Sequence, residues 1–404
     1  MKYILILADG MADEKISALG NMTPLQSAYL PAVNSLAKRG EIGQVKTIPE
    51  GMSPGSDTAN LSVMGYDPLV YHTGRSPLEA VSMGIDLSDI DITFRCNLVT
   101  LSDEASYIDK NMIDNSAGEI TSEEASILIN HINEVLGTKE ISFYPGVSYR
   151  HVMVWKNGLD TFELTPPHDI LDKKINAYLP KGKSSEIILD MMIKSYDFLS
   201  THPINIDRKK KGLKSANSAW IWGQGKKPRL KSFTQKYNLT GSVISAVDLV
   251  KGIGICAGLE SVDVPGATGT IHTNFEGKAK AGIKALQDGK DFIYVHIEAP
   301  DECSHQGDCK GKIKSMEIID EKIVKPIFEY LDSQQESFRI MILPDHPTPL
   351  SIRTHTSEPV PYMLYDSTKV KYNERNAFDE VASKKSGNYF DAGYKLTDYF
   401  LSRD

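Results

Sequence analysis

The stretch Asp291–Asp308, DFIYVHIEAPDECSHQGD, joins an apolar run to a polar segment. A continuous apolar run of this length is typical of a strand that is buried on both faces of a parallel sheet, and Pro300 ends it. Asp301 is therefore expected at the carboxyl end of the strand. If a helical turn begins there, Asp301 and His305 project from one face, where a carboxylate and an imidazole can hold one cation.

Two other apolar segments repeat this design. Each is followed at once by an acid: Lys2–Ala8 precedes Asp9, and Phe338–Pro344 precedes Asp345 and His346. Because parallel α/β sheets bind ligands outside the carboxyl ends of their strands, these acids can converge with Asp301, and His355 adds another imidazole. A single acid at a strand end more often caps a turn or a helix, but the repetition favours a metal site. Carboxylates and imidazoles together suit Zn²⁺ or Mn²⁺.

Ser56 is the candidate nucleophile. It follows the turn Pro54-Gly55 and precedes a helix-compatible segment, so it is expected near a helix N-terminus, where an anion is favoured. A serine hydroxyl needs a base or a metal to react at neutral pH, and no Gly-x-Ser-x-Gly motif surrounds Ser56, so we favour metal activation. The alternative is that Ser56 only caps the helix, as Ser53 or Asp57 can also do.

Composition and charge narrow the class of protein. A chain of 404 residues with 41% hydrophobic and 24% charged residues predicts a soluble globular protein of two domains. The net charge of −8 argues against nucleic acid as the main partner. The basic run Arg208–Lys211 is either a phosphate-attracting wall or, more commonly, a solvated loop.

Cysteine usage and hydropathy indicate the compartment. Four cysteines without a Cys-x-x-Cys pair fit a reducing cytoplasm. The apolar start, Met1–Ala8, is too short for a signal peptide and lacks a cleavage site, and no run approaches the roughly 20 apolar residues of a membrane helix. We therefore expect a cytoplasmic protein that binds neither membrane nor nucleic acid.

The candidate ligands lie on both sides of a segment with its own α+β pattern, so one domain is predicted to be inserted into another. Residues 1–86 and 216–404 would form the discontinuous metal-binding core, and residues 87–215 the inserted domain. The inserted segment contains the strand-like runs Asp91–Thr100 and Tyr149–Trp155 and a capped helix that begins after Thr121.

Short motifs spread over most of the chain resemble those of one family. They are Asp9-Gly10, Pro54–Asp57, Gly65–Pro68, Thr73–Arg75, Phe94–Asn97, Tyr149-Arg150, Trp220–Gly225, Asp301–Asp308, Asp345-His346 and His355–Pro361. In this order they resemble the cofactor-independent phosphoglycerate mutases of the alkaline phosphatase superfamily, in the archaeal-type branch. Each motif alone is weak, and the combination is specific.

The resemblance implies an α/β fold: an alkaline-phosphatase-like core with a mostly parallel sheet flanked by helices, plus an inserted smaller α+β domain. It implies two divalent cations, Mn²⁺ or Zn²⁺, with Mg²⁺ as a further option, and no 2,3-bisphosphoglycerate. The first cation would be held by Asp9, Ser56, Asp345 and His346. The second would be held by Asp301, His305 and His355.

The resemblance also implies a phosphoserine mechanism in glycolysis or gluconeogenesis. Ser56 would take the phosphoryl group from 3-phosphoglycerate and return it to the 2-hydroxyl of the retained glycerate. Arginines suit the phosphate and carboxylate because they bind both in bidentate fashion. The candidates for substrate binding are Arg75, Arg95, Arg150 and Arg208, with Lys251 near the phosphoryl group. For each, an ordinary ion pair is the alternative. The inserted domain would act as a lid that grips the substrate, hinged near Gly84 and Ser215.

Two other functions stay open at this point. One is a related metal-dependent phosphotransfer, by a homoserine-kinase-like enzyme, a phosphatase or a phosphopentomutase on the same core, although the chain has no Walker-type loop. The other is a metal-stabilised binding protein that has lost catalysis, although neither the nucleophile nor a ligand is missing. The physiological cation and the oligomeric state are not fixed by the sequence.

Overall fold

The computed structural model describes residues 1–402, which contain thirteen strands and sixteen α-helices. The strands are β1 (Lys2–Ala8), β2 (Glu41–Val45), β3 (Ile92–Leu101), β4 (Met112–Asp114), β5 (Ile141–Tyr144), β6 (Arg150–Trp155), β7 (Ser218–Lys226), β8 (Gly241–Ile244), β9 (Glu260–Val262), β10 (Phe292–Ile297), β11 (Phe338–Leu343), β12 (Val360–Asp366) and β13 (Tyr389–Phe390).

The helices are α1 (Pro24–Ser27), α2 (Pro31–Arg39), α3 (Ser56–Val63), α4 (Pro68–Tyr71), α5 (Ser76–Ser82), α6 (Ser122–Leu136), α7 (Glu186–Leu199), α8 (Pro203–Lys210), α9 (Phe233–Tyr237), α10 (Asp248–Cys256), α11 (Phe275–Gln287), α12 (Ala299–Gln306), α13 (Cys309–Ile319), α14 (Lys325–Ser333), α15 (Glu380–Ser386) and α16 (Gly393–Leu401). A π-helical segment, Asp320–Val324, joins α13 to α14. None of these helices is long and apolar enough to cross a bilayer.

The first of two compact units contains Met1–His72 and the described chain from Arg229 onward. Its eight-stranded sheet has the order β13-β2-β12-β11-β1-β10-β8-β9. The five strands from β11 to β9 are parallel, and β12 runs antiparallel to both of its neighbours. Every residue of β10 and β11 is buried, as expected for strands that helices cover on both faces. The predicted class, an α/β fold with a mostly parallel sheet flanked by helices, is confirmed.

The second unit, Thr73–Pro228, has an antiparallel sheet of its own. β3 pairs with β4, β6 and β7, and β5 pairs with β6. Helices α6 and α7 supply Leu128, Ile132 and Met192 to its separate hydrophobic core.

The second unit extends beyond the boundaries that the sequence suggested, which were residues 87 and 215. Helix α5 packs on β3 and β7, and β7 pairs with β3 from Ile92 to Val99, so both elements belong to this unit. The long pairing of β7 with β3 is a contact between distant segments, which composition does not reveal. The role of the unit as a lid stays a prediction.

Candidate active site

Three neighbouring strands of the first unit deliver the predicted metal ligands to one edge of the sheet. β1 lies between β11 and β10, with Leu7 opposite Leu343 and Ala8 opposite Ile297, so the three carboxyl ends are level. Asp9 follows β1 directly, and Asp345 and His346 follow β11. Asp301 lies in the first turn of α12, just after β10. Convergence of the acids therefore follows from the parallel register.

Four of the predicted residues form an inner cluster: Asp9, Ser56, Asp345 and His346. The Nε2 atom of His346 lies 3.6 Å from Oδ1 of Asp9, 3.3 Å from Oδ2 of Asp345 and 3.2 Å from Oγ of Ser56. Ser56 is the first residue of α3, as its expected place at a helix N-terminus requires. The two acids and His346 are wholly buried. Two buried carboxylates, a buried imidazole and a partly buried hydroxyl thus face one another.

The other three predicted residues form an outer cluster: Asp301, His305 and His355. The Nε2 atom of His305 lies 3.0 Å from Oδ2 of Asp301 and 3.0 Å from Nε2 of His355, and Nε2 of His355 lies 3.6 Å from Oδ1 of Asp301. Asp301 and His305 share one face of α12, which is the predicted spacing. The clusters adjoin, because the ring centroids of His346 and His355 are 4.0 Å apart.

The electrostatics of the inner cluster fit a cation. Burial raises the pKa of Asp9 well above its usual value, and the neighbouring carboxylates of Asp345 and Asp301 raise it further. Oδ1 of Asp9 is a buried oxygen without a hydrogen-bond partner among the described residues. Buried charges are costly unless they are paired or coordinate a metal. A divalent cation would satisfy this oxygen and neutralise both acids.

The outer cluster balances its charge in a different way. The hydrogen bond that the protonated ring of His305 donates to Asp301 outweighs burial and raises the pKa of His305 to about 9. Burial opposes ionisation of Asp301, yet its hydrogen bonds with His305 and His355 hold the pKa of this carboxyl below its usual range. The Nδ1 atom of His305 lies 2.9 Å from the carbonyl oxygen of Arg353, so Nδ1–H can donate there and Nε2 can turn to a metal.

Residues that sequence reasoning missed hold the inner ligands in place. Asp345 accepts hydrogen bonds from the N–H of Gly10 at 3.2 Å, the N–H of His346 at 2.9 Å and Nδ2 of Asn60 at 2.9 Å. The hydroxyl of Tyr294 donates to Oδ1 of Asn60 at 2.7 Å, which fixes the orientation of the amide. Asn60 lies one helical turn after Ser56 on α3, and this spacing could have identified it.

A glycine is required next to Asp9. Gly10 has a φ of +61°, which favours glycine, and a Cβ atom there would lie 2.5 Å from Oδ1 of Asp301. Gly10 therefore lets the chain after β1 approach the outer cluster closely. A side chain at this position would displace Asp301.

Thr348 connects the two clusters and was also missed. Its hydroxyl donates to Oδ1 of Asp301 at 2.5 Å and lies 3.2 Å from Nδ1 of His346. Because its one proton goes to the carboxylate, Thr348 accepts from Nδ1–H of His346. This tautomer leaves the lone pair on Nε2, which faces Ser56 and the inner acids. The sequence gives no signal for Thr348 beyond its closeness to His346.

Arg208 and Lys251, two of the predicted substrate-binding residues, form ion pairs within the first or the second unit. Arg208 is buried, and its guanidinium donates to the carbonyl oxygens of Lys214 at 2.8 Å and Ala117 at 2.7 Å and pairs with Glu124. We therefore leave Arg208 out of the proposed substrate contacts. Lys251 forms an ion pair of 2.7 Å with Asp263, which is exposed.

The other three candidates lie in the second unit. Arg95 forms a bidentate pair with Glu79 at 3.0 and 2.7 Å, and its guanidinium stacks 4.7 Å from the ring centroid of Trp222. Arg75 immediately precedes α5, and Arg150 begins β6; both are exposed. No residue of the second unit enters the geometry of the two clusters given above.

The chain is similar in sequence to known proteins over most of its length. The sequence profile described as 2,3-bisphosphoglycerate-independent phosphoglycerate mutase matches residues 37–205. A mutase of that name from Methanosarcina barkeri is 49% identical over 386 residues, which is 95% of each chain. A probable mutase of that name from Geobacter sulfurreducens is 47% identical over 403 residues, which is 100% of each chain.

Solved structures are similar over the whole chain. A protein from Pyrococcus horikoshii has a TM-score of 0.84 and 29% identity, covering 100% of this chain and 98% of that one. The cofactor-independent phosphoglycerate mutase from Thermoplasma acidophilum has a TM-score of 0.69 and 27% identity, covering 99% of both chains. The resemblance predicted from the sequence motifs is confirmed. The chain belongs to the 2,3-bisphosphoglycerate-independent phosphoglycerate mutase family, in its archaeal-type branch, and is an isomerase.

Proposed function

We propose that the protein interconverts 3-phosphoglycerate and 2-phosphoglycerate through a phosphoserine at Ser56, beside two divalent cations. The family supports the mutase activity. The observation that carries the finer proposal is that Ser56 lies 3.2 Å from His346, in a cluster whose acids are buried and whose Asp9 retains an oxygen without a partner.

The two clusters would each hold one cation. Asp9, Ser56, Asp345 and His346 would hold the first; Asp301, His305 and His355 would hold the second. The donor set of imidazoles and carboxylates suits Mn²⁺ or Zn²⁺. When bound, two such cations neutralise the charge that phosphoryl transfer concentrates at its attacking and leaving oxygens.

The reaction would proceed in two transfers without net consumption of water. In the first, a bond forms between Oγ of Ser56 and phosphorus, and the bond between phosphorus and the 3-oxygen of the substrate breaks. In the second, the 2-oxygen of the retained glycerate attacks phosphorus and Ser56 is released. The proton of the Ser56 hydroxyl would pass to the departing 3-oxygen, and the proton of the attacking 2-hydroxyl would return to Oγ of Ser56, so that Nε2 of His346, 3.2 Å from Oγ, stays available as a ligand. The N-terminus of α3 favours the dianionic phosphoserine.

Cationic side chains would bind the anionic groups of the substrate. We assign this role to Arg75, Arg95 and Arg150 of the second unit, because the planar guanidinium matches both a carboxylate and a phosphate. For Arg95 the assignment rests on the family resemblance, since its Nε and Nη2 bond Glu79 and its guanidinium lies over Trp222. Lys251 would bind the phosphoryl group.

The test is Ser56→Ala, with Ser53→Ala as the matched control. Ser53 is exposed in the same loop and has no place in either cluster. We expect Ser56→Ala to lower kcat by at least about 10⁴-fold, by analogy with loss of other catalytic serines, and to abolish phosphoenzyme formation from labelled substrate. Ser53→Ala should match the wild type in both. Turnover or labelling that survives in a folded Ser56→Ala protein contradicts the proposal.

A second assay separates the mutase from other phosphotransferases. We expect conversion of 3- to 2-phosphoglycerate without added 2,3-bisphosphoglycerate, and no phosphorylation of homoserine with ATP. A chelator should abolish the conversion, and Mn²⁺ or Zn²⁺ should restore it. Release of inorganic phosphate at a rate that matches turnover would instead indicate a phosphatase.

A further inference from the structure

An imidazole lies one residue before the carboxyl end of the otherwise apolar strand β10, and it is not exposed to solvent. His296 is wholly buried, with Leu7 of β1 opposite it in the sheet. Its Nε2 atom lies 3.0 Å from Oδ2 of Asp9, and its Nδ1 atom lies 3.2 Å from Oγ of Ser245, which follows β8. Both ring nitrogens are therefore engaged, one by a proposed metal ligand and one by a hydroxyl.

The contacts of the two ring nitrogens indicate the tautomer of His296. Oγ of Ser245 accepts from the N–H of Val247 at 3.0 Å, and its own proton has two acceptors: Nδ1 of His296 at 3.2 Å and, farther away, the carbonyl oxygen of Val247 at 3.5 Å. As an ionised metal ligand, the carboxylate of Asp9 can only accept, so its contact of 3.0 Å with Nε2 of His296 places a ring proton on Nε2. A neutral ring that accepts at Nδ1 carries its proton on Nε2 and donates it to Asp9.

This donor matters because Asp9 has few others. Asp345, the second acid of the inner cluster, accepts three hydrogen bonds, from Gly10, His346 and Asn60. Within residues 1–402, the N–H group that reaches the carboxylate of Asp9 is that of His296, at Oδ2, and Oδ1 has no hydrogen-bond partner. The bond at Oδ2 therefore decides which oxygen of Asp9 is presented to the cluster.

We propose that His296, held by Ser245, is a positioning residue that turns Oδ1 of Asp9 toward the cation of the inner cluster. The proposal rests on the proposed two-metal function and adds a residue that is not itself a ligand. A hydrogen-bonded partner of this kind fixes the orientation of a metal ligand, and the donated N–H favours the charged form of the carboxylate, which is the form that binds a cation. Loss of the donor would leave the carboxylate of Asp9 buried, unpaired and free to rotate.

The experiment measures cation binding to the chelator-treated protein by competition with a fluorescent chelator, using Mn²⁺ as the probe. His296→Leu removes the donor, whereas His296→Gln retains an amide N–H of similar reach. Ser242→Ala is the control: its buried hydroxyl on β8, opposite Ile293 of β10, has no partner among the described residues. We expect His296→Leu to weaken one of two sites by about 10- to 100-fold, His296→Gln to recover most of this loss, and Ser242→Ala to bind as the wild type.

Each outcome either supports or overturns the inference about His296. A folded His296→Leu protein that binds both cations as the wild type overturns the inference and leaves the proposed function intact, as does a His296→Gln protein as weak as His296→Leu. A wild-type protein that binds no divalent cation overturns both. Because His296→Leu can fail to fold, ¹⁵N NMR of the wild type provides an independent measurement. A proton on Nε2 of His296 is expected, and a proton on Nδ1 overturns the inference.

Discussion

The inner and outer clusters lie side by side but differ in burial and in charge. The inner cluster has two carboxylates and one imidazole with at most 1% exposure, whereas in the outer cluster the side chains of His305 and His355 are 35% and 20% exposed and outnumber the single carboxylate. The outer cluster can neutralise its acid with a protonated imidazole. The inner cluster cannot neutralise its two buried carboxylates in this way, so it needs a cation more than the outer cluster does. The first proposed cation should therefore be held tightly, and the second should exchange with solvent.

Asp9→Asn gives the largest effect that this contrast predicts. The amide keeps an oxygen for the Nε2–H of His296 and places an NH₂ group where the unpartnered Oδ1 lies. Activity should fall by at least about 10³-fold, and added Mn²⁺ should not restore it. Because burial and the neighbouring acids disfavour the charged form of Asp9, the metal-free variant should also be more stable to heat than the metal-free wild type at pH 8. Steady-state kinetics and calorimetry check both statements.

His355→Gln tests the outer cluster with a smaller effect. The variant removes one imidazole from a partly exposed site, so we expect a loss of about 10- to 100-fold in kcat/KM that excess Mn²⁺ partly reverses. The measurement is activity against Mn²⁺ concentration for both variants. If His355→Gln resists rescue as Asp9→Asn does, the two clusters do not differ in exchange as their burial indicates.

Much of the site could be predicted because its elements are local in sequence. Three apolar runs that each end near an acid predict parallel strands and a shared edge, and β11, β1 and β10 are indeed neighbours. The spacing of Asp301 and His305 is a helical turn, which any reader of the sequence can measure. These features depend on strand and helix periods, so they do not require knowledge of the packing.

The rest depends on contacts between distant segments. Thr348 contacts Asp301 through its hydroxyl, and His296 contacts Ser245 and Asp9 through its two ring nitrogens. These partners come together only once β8, β10 and the loop after β11 are packed. Arg208 lies in a run of basic residues that suggests solvent, yet the fold turns its side chain inward to carbonyl oxygens from the loops around it. Hydropathy does not show which member of such a run faces the core.

The pH dependence of stability should separate the clusters in the metal-free protein. The pKa of His305 is raised to about 9 from an ordinary 6.5, chiefly by its hydrogen bond with Asp301. A raised pKa means that this stabilisation is complete below pH 6.5 and is lost as the pH rises through about 9. In the presence of chelator, the Tm should thus decrease as the pH is raised from 6.5 to about 9. His305→Gln should flatten this part of the profile, and an unchanged slope in that variant contradicts the pairing.

Metal binding to the outer cluster should have the opposite pH dependence to the stability of the metal-free protein. A cation on His305 must displace the proton from Nε2, so its affinity rises with pH over the same range and one proton is released per cation. Titration calorimetry in two buffers of different ionisation enthalpy measures this proton directly. Equal heats in both buffers would show that His305 is already neutral in the metal-free protein.

Thr348→Val should give the smallest effect, because it changes no ligand and preserves side-chain shape. It removes the donor to Oδ1 of Asp301 and leaves Nδ1–H of His346 without its acceptor. Since the two bonds lie on different clusters, both cations should bind more weakly, each by about 10-fold, whereas a ligand variant weakens mainly its own site. Thr348→Ser keeps the hydroxyl and should bind as the wild type. A Thr348→Val protein that loses affinity at one site alone would mean that the hydroxyl serves that cluster and that the two are independent.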